Sequence, residues 1–271
     1  MRRAEPLWET PDWGLPAGVH ALLTTREGGH SDGPWSSWNI GSRSGDAPAV
    51  VAQNRARLLT KLGTPHPVRY LQQVHGRDVL FQPQTDPGEV QADAHWTTTP
   101  GLPLAVLAAD CLPVLFCSAD GLRIAAAHAG WRGLLAGVLE RTVQELRAHG
   151  PAGVPLLAWV GPGIGRCHFE VGAEVRAAFL ARDAQWARPH FTQPAQVAEE
   201  ARWHADLAGL AVAQLRSLGV RVRADGRCTH CDPQRFYSYR RDGQTGRMAA
   251  LIWRDASSLV AERRPALPES P

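Results

Sequence analysis

Residues 102–130 read LPLAVLAADCLPVLFCSADGLRIAAAHAG. The run is apolar enough to suggest a membrane span, but Asp110, Pro103 and Pro113 interrupt it, and a span needs about 20 uninterrupted apolar residues. It divides instead into three buried strands, Leu104 to Ala108, Pro113 to Cys117 and Leu122 to Ala127, with a turn at Gly121. Downstream, Leu134 to His149 has the apolar spacing of an amphipathic helix, ended by Gly150 and Pro151. Pro155 to Val160 is a further strand, and a glycine loop (Gly161 to Gly165) leads to a helix over Ala173 to Arg182. A helix is predicted over Trp203 to Leu218, and strands over Tyr237 to Tyr239 and Met248 to Trp253. Upstream, Ala21 to Thr25, Val68 to Val74 and Val79 to Gln82 read as strands, and Ala47 to Leu62 as a helix stopped by Gly63. Strands and helices alternate without a fixed period or internal repeat. The expected fold is therefore a mixed α+β sandwich within the α/β class, one domain over residues 1–271, with 262–271 as a frayed tail.

Composition narrows the function. The chain has 271 residues, 44% hydrophobic and 20% charged, with a formal net charge of only +3. This is ordinary globular usage, and so small an excess of positive charge makes no case for nucleic acid as a partner. Lys61 is the only lysine among 29 basic residues and follows Thr60. A phosphate-binding loop of the Gly-Lys-Ser/Thr type is excluded, and Schiff-base chemistry is disfavoured. No apolar segment follows Arg2 and Arg3, and the five cysteines are odd in number. Reduced thiols in a cytoplasm are the expectation, with no membrane association.

Several motifs carry possible chemistry. The loop Gly161 to Gly165 lacks the third glycine of a dinucleotide fingerprint, because Arg166 stands there; it reads as a structural or substrate-lining turn. Cys228 and Cys231, in CTHC, resemble half a zinc ribbon, but their nearest companions are the adjacent Cys167 and His168 rather than a second CxxC. An ordinary turn with free thiols is preferred there. His75, Cys111 and His128 are different. They fall at or beside the ends of neighbouring strands, and two imidazoles with one thiolate make a tripod suited to Zn²⁺ with a fourth position open, the catalytic arrangement. Gly76, Gly130 and Gly133 beside them allow close backbone approach. Asp110 adjoins Cys111, Trp131 and Arg132 follow His128, and Arg26 sits in a glycine loop where it can grip a phosphate or carboxylate.

The blocks TTREGGHSDGPWSSWNIG, GDAPAVVAQNRARL, LQQVHG, ADAHWTTTPG, ADCLPVLF, AAHAGWRG, WVGPGIG with FEVG, and CTHC with FYSYRRDGQTGRMAALIW run in order from about residue 23 to 253. In them the chain resembles the YfiH family, also called the laccase-domain or multicopper polyphenol oxidoreductase family. The resemblance implies a single α/β domain of the family's own type and a zinc site at His75, Cys111 and His128. It also implies a role for Arg26 in binding substrate or phosphate. Members are described as purine nucleoside enzymes that cleave adenosine, inosine or methylthioadenosine with phosphate, some also deaminating adenosine. A small-molecule substrate follows. His95 and Trp96 stand where the family often has an aliphatic pair, which opens the question of the pocket lining, and Cys231 is outside the family's block.

On this reading Arg26 and the metal position phosphate, and Asp93 and Asp110 are candidate proton donors. Asn39, Trp131 and Arg132 are candidate substrate contacts, with the Phe236 to Tyr239 segment as a stacking surface. Three rival readings stand beside it. One is an amidase editing UDP-muramyl amino-acid precursors of peptidoglycan. A second is a copper-dependent polyphenol oxidase, disfavoured because no His-x-His pair occurs and only Met1 and Met248 offer a thioether. The third is a metal-binding adaptor without catalysis. The oligomeric state is not legible.

Overall fold

Successive side chains of a strand point to opposite faces, and in the central strands of this protein both faces are apolar. Along Leu112–Ser118, the side chains of Leu112, Val114 and Phe116 enter one buried cluster and those of Leu115 and Cys117 another. Ile124–Ala129 divides in the same way, with Ala125, Ala127 and Ala129 on one side and Ile124 and Ala126 on the other. Met248–Arg254 sends Met248, Ala250 and Ile252 to the second cluster, and Ala249 and Leu251 to a third. Three apolar layers call for two sheets with helices outside both, and that is the architecture in the computed structural model, which describes residues 8–83, 85, 88–193 and 202–256.

One sheet has six strands, in the order Arg221–Ala224, Leu156–Val160, Leu112–Ser118, Ile124–Ala129, Ala94–Thr97, Val79–Phe81. The other has four, in the order Trp8–Glu9, Val19–Thr24, Met248–Arg254, Leu104–Ala108. They face each other across Leu23, Val106, Leu115, Ala126, Trp159 and Ile252. The helices Val138–Ala148, Ala173–Arg182 and Leu207–Ser217 cover the outer face of the six-stranded sheet. Helix Pro48–Leu62 covers the outer face of the other, through Leu58 against Leu22 and Leu251. The expected mixed sandwich is thus observed, as a four-layer form.

The helix over Pro48–Leu62 ends at Gly63, whose φ of 61° is the left-handed stop that glycine supplies. Other elements depart from expectation. The segment from residue 134 to 149 is two helices, Trp131–Ala136 and Val138–Ala148, because Gly137 takes a φ of 98° between them. Residues 203–205 are not helical. They belong to the strand Arg202–Ala205, which pairs with Glu170–Gly172 and Phe191–Thr192. The helix starts at Leu207, where Asp206 caps it by accepting from Gly209 N at 2.8 Å. The predicted strand Tyr237 to Tyr239 does not form, and Tyr239–Asp242 is a short helical turn. Of the predicted strand 68–74, Leu71–Gln72 pairs with Val90–Gln91 and Arg69 makes an isolated bridge to Leu104. The tail 262–271 lies outside the described residues. Among the described residues, no helix is long and apolar enough to cross a membrane.

Candidate metal centre and its cleft

The strand Ile124–Ala129 places His128 opposite Pro113 on Leu112–Ser118. Cys111 lies just before that second strand, in the turn from Leu104–Ala108. His75 arrives from the loop after Leu71–Gln72. These three side chains, scattered in sequence, present ligand atoms all within 4.8 Å of one another. Cys111 Sγ lies 3.7 Å from His75 Nε2, and the two imidazole rings meet edge to face at 4.8 Å. The predicted tripod is therefore assembled. Helix Trp131–Ala136 packs close against it: a Cβ on Gly130 would lie 2.9 Å from both Cys111 Sγ and His75 Cδ2, and one on Gly133 would lie 2.8 Å from Gly76 O.

Asp93 organises the centre from behind. Fully buried, it accepts from His128 Nδ1 at 2.8 Å and His75 N at 2.9 Å through Oδ1. Its Oδ2 accepts from Gly76 N at 2.6 Å and Val74 N at 3.2 Å. The contact with Nδ1 leaves His128 Nε2 as the atom for a ligand bond, the role a carboxylate plays behind a metal-bound histidine. The three amide contacts hold the turn in which His75 takes a φ of 61°, a left-handed conformation costing a non-glycine residue about 1–2 kcal/mol. Burial raises the Asp93 carboxyl, but His128 and the amides outweigh it and hold its pKa below the usual range. It accepts from four donors and is no reservoir of protons.

Asp110 has a similar structural duty. Its φ is 92°, its Oδ1 accepts from Thr229 Oγ1 at 2.6 Å and its Oδ2 from Arg240 N at 2.7 Å. Both sequence candidates for the proton donor are thus hydrogen-bond acceptors that fix loops. At Cys111, burial pushes the thiol up, but the neighbouring His128 and His75 overcome it and bring the pKa down to about 6. At His128, burial disfavours the charged ring, while the Cys111 thiolate and Asp93 raise the pKa to about 9. Thiolate and imidazolium stabilise each other.

The tripod opens into a cleft of about 560 Å³, within the range of small-molecule sites. Trp131, Phe169 and Tyr239 supply aromatic surface, and Arg43, Arg132, Arg240 and Arg247 line the same space. Of the predicted substrate contacts, Trp131 and Arg132 are there. Arg26 is not. Its Nη1 donates to Pro233 O at 2.8 Å and its Nε to Ser36 O at 3.2 Å, and it lines a separate hollow with residues of the 27–32 loop. Its strand, Val19–Thr24, leads its loop to that other hollow. Asn39 does not reach the cleft either. Its amide nitrogen donates to Gly41 O, Ser44 Oγ and Asp46 Oδ2, and its Oδ1 accepts from Gly41 N and Arg247 N, so the buried side chain shapes the loop 41–44 and seats Arg247.

Phe236 and Tyr237 are core residues, which leaves Tyr239, 61% exposed, as the aromatic of that segment in the cleft. His95 is buried beside Gln82 and does not line the cleft, nor does Trp96. The loop Gly161 to Gly165 contributes Ile164 to the lining. Arg247 was missed in sequence. It is half-buried, and burial lowers its pKa against the opposing charges of Cys111 and Asp110. The one signal was that it lies in the matched FYSYRRDGQTGRMAALIW block.

A four-layer sandwich with a cysteine and two histidines at the floor of an arginine-lined cleft defines a compact mixed α/β protein with a three-residue candidate metal site facing a small-molecule cleft. The sequence assigns it more closely. Residues 20–255 match the family described as multi-copper polyphenol oxidoreductase laccase, and the chain belongs to that family. It is 48% identical over 248 residues to a purine nucleoside phosphorylase of Pseudomonas aeruginosa, covering 91% of this chain and 98% of that protein. It is 47% identical over 244 residues to the purine nucleoside phosphorylase YfiH of Escherichia coli, covering 90% and 97%. A crystal structure of a Neisseria meningitidis protein superposes with a TM-score of 0.84 at 41% identity, covering 92% and 99%. The YlmD structure from Geobacillus stearothermophilus gives 0.78 at 32%, covering 91% and 97%.

Proposed function

We propose that the protein is a zinc-dependent purine nucleoside phosphorylase that cleaves a nucleoside such as adenosine with phosphate, giving free base and ribose 1-phosphate. The observation that carries this reading is the cleft itself, where His75, Cys111 and His128 share a space with four arginines and three aromatic rings. The names of the relatives point the same way. The donor set fits the ion: one thiolate and two imidazoles suit zinc, and three protein ligands leave a position toward the cleft. When bound, the ion supplies fixed positive charge beside the reacting groups.

The chain's own residues do the rest. Phosphate must lie beside C1′ of the ribose while positive charge develops there, and arginines hold a phosphate bidentately in one orientation. Arg247 and Arg132 are assigned this task. The flat faces of Trp131 and Tyr239 are assigned the base, by stacking. Asp93 keeps His128 in one tautomer, Asp110 ties the position before Cys111 to Thr229 and Arg240, and Asn39 seats Arg247. Arg26 has a structural part outside the cleft.

The test is to incubate protein of defined metal content with adenosine, with and without phosphate. Phosphate-dependent release of adenine and ribose 1-phosphate is expected; inosine as the sole product would replace phosphorolysis by deamination. Serine released from UDP-muramyl-L-serine, without action on adenosine, would support the amidase. Phenol oxidation dependent on added copper would support the oxidase, although Met248 Sδ is occupied in the core by Tyr237 N at 3.0 Å and Met248 does not line the cleft. Arg247→Ala is expected to lower kcat/KM for phosphate about 10- to 150-fold, the equivalent of one charge-assisted contact of about 1.5–3 kcal/mol.

A further inference from the structure

A second group of metal-ligating side chains lies elsewhere on the molecule. Cys167 and His168 leave the Leu156–Val160 strand through the glycine loop, and Cys228 and Cys231 follow the neighbouring parallel strand Arg221–Ala224. Although Cys167 and Cys231 are 64 positions apart, their sulfurs lie 3.5 Å from each other. His168 Nδ1 is 3.2 Å from Cys167 Sγ and 3.3 Å from Cys231 Sγ. With Cys228, the four ligand atoms all lie within 4.8 Å. We propose that Cys167, His168, Cys228 and Cys231 form a closed structural zinc site, separate from the metal centre of the cleft. The sequence favoured a plain turn with free thiols; the thiols are free, and the fold adds Cys167 and His168 to them.

The geometry suits zinc in three respects. Bonds of about 2.3 Å to sulfur and about 2.0–2.1 Å to nitrogen place the ligand atoms of a tetrahedron roughly 3.4–3.8 Å apart, close to the separations found here. A disulfide needs sulfurs about 2.05 Å apart, well short of 3.5 Å. The surroundings are also built for sulfur ligands. Gly165 N donates to Cys228 Sγ at 3.1 Å, and a Cβ at Gly165 would lie 3.0 Å from Cys228 Cβ and 3.3 Å from Cys167 Sγ. The two loops are joined by the bridge Gly163 to Cys228 and by Thr229 N donating to Gly163 O at 2.9 Å. The ring of His230 stacks on His168 at 3.8 Å and fixes its plane. Three thiolates outweigh one divalent ion by a single negative charge. Arg241, itself paired with Asp242, braces the turn, its Nη1 donating to Thr229 O and His230 O.

The site clips together the loops that shape one wall of the cleft. Ile164 and Phe169 flank the first pair of ligands and line the cleft, and Thr229, inside the CTHC turn, holds Asp110 next to Cys111. Four protein ligands leave no position for substrate, so the part played is cohesion rather than catalysis.

The test counts zinc by mass spectrometry in full-length protein purified under reducing conditions without chelator. Two ions per chain are expected in the wild type, one in Cys111→Ser, and one in the double variant Cys228→Ser with Cys231→Ser. Should the double variant not fold, Cys111→Ser alone decides. Loaded with Co²⁺, it should show the near-ultraviolet sulfur-to-cobalt absorption of a site with several thiolates, although the cleft thiolate is gone. A Cys111→Ser protein that holds no zinc and gives no such band would overturn the proposal, as would a Cys167–Cys231 disulfide in the reduced preparation. If the cleft were not a metal site, the wild type would carry one ion, kept by Cys111→Ser and lost by the double variant. The two readings thus fail separately.

Discussion

Replacing Asp93 by asparagine changes one atom of the centre and should loosen all of it. The carboxylate accepts from two donors through each oxygen: His128 Nδ1 and His75 N on one, Gly76 N and Val74 N on the other. An amide has one oxygen and one NH₂ group, so whichever way it turns, the NH₂ faces two donors. One orientation opposes the pair that fixes His128 and the other the pair that fixes the His75 turn. A buried donor left without an acceptor costs about 1–3 kcal/mol, and the loss falls where His75 already holds a φ of 61°. Carboxylates behind a metal-bound histidine are worth about 10- to 100-fold in affinity. Asp93→Asn should therefore weaken zinc binding at the cleft by about that factor, read by competition with a chromophoric chelator in a protein whose Cys167 group is accounted for. The folded protein should also lose about 1–3 kcal/mol in urea. Unchanged zinc affinity with a normal fold would refute the role given to Asp93.

Gly130→Ala should act on the same centre by bulk alone. Its φ of −71° suits alanine, but the new methyl would lie 2.9 Å from Cys111 Sγ and His75 Cδ2; zinc affinity at the cleft should fall, and the metal-free protein should lose about 0.5–2 kcal/mol through the poorer helix cap and the displaced ligands. Phe116, fully buried in the six-stranded sheet, should cost about 3–5 kcal/mol on replacement by alanine, and a loss under about 1 kcal/mol in urea would contradict its packing. His95 supplies a pH test. Burial lowers its pKa to about 3, so between about 6.5 and 3 the unfolded chain binds a proton that the folded chain does not. Stability should fall as pH drops through that window, by about 1.4 kcal/mol per unit from this group. His95→Gln should make the acid side of the stability curve shallower by that slope, and parallel curves for the two proteins would sink the assignment.

The central strands were readable because both their faces are covered, so Leu112–Ser118 and Ile124–Ala129 are apolar along their whole length. The C-terminal end of the helix Pro48–Leu62 was set by a local signal, the stop at Gly63. Where local and long-range forces compete, reading failed. Arg202–Ala205 resembles helix sequence, yet it is a strand because Glu170–Gly172 and Phe191–Thr192 bracket it. In the centre, ligand types and strand ends suggested His75, Cys111 and His128, the family resemblance implied the same three, and the fold brings them together. The charge state of Asp93 could not be read, because it depends on which four donors surround it. Arg26 sits in a glycine loop that looks made for phosphate, but the direction of that loop depends on contacts with residues 233–237, more than 200 positions away. The CTHC turn was half a motif, and its other half is brought to it by long-range contacts, the parallel pairing of two strands and the Gly163 to Cys228 bridge.

His75 and Asp110 both hold left-handed backbone on either side of the cleft floor, and each is kept there by contacts within the protein itself. The shape that receives an ion is thus preorganised rather than imposed by the ion. On the zinc reading, the pocket would give up its ion and take it back without the rest of the molecule unfolding.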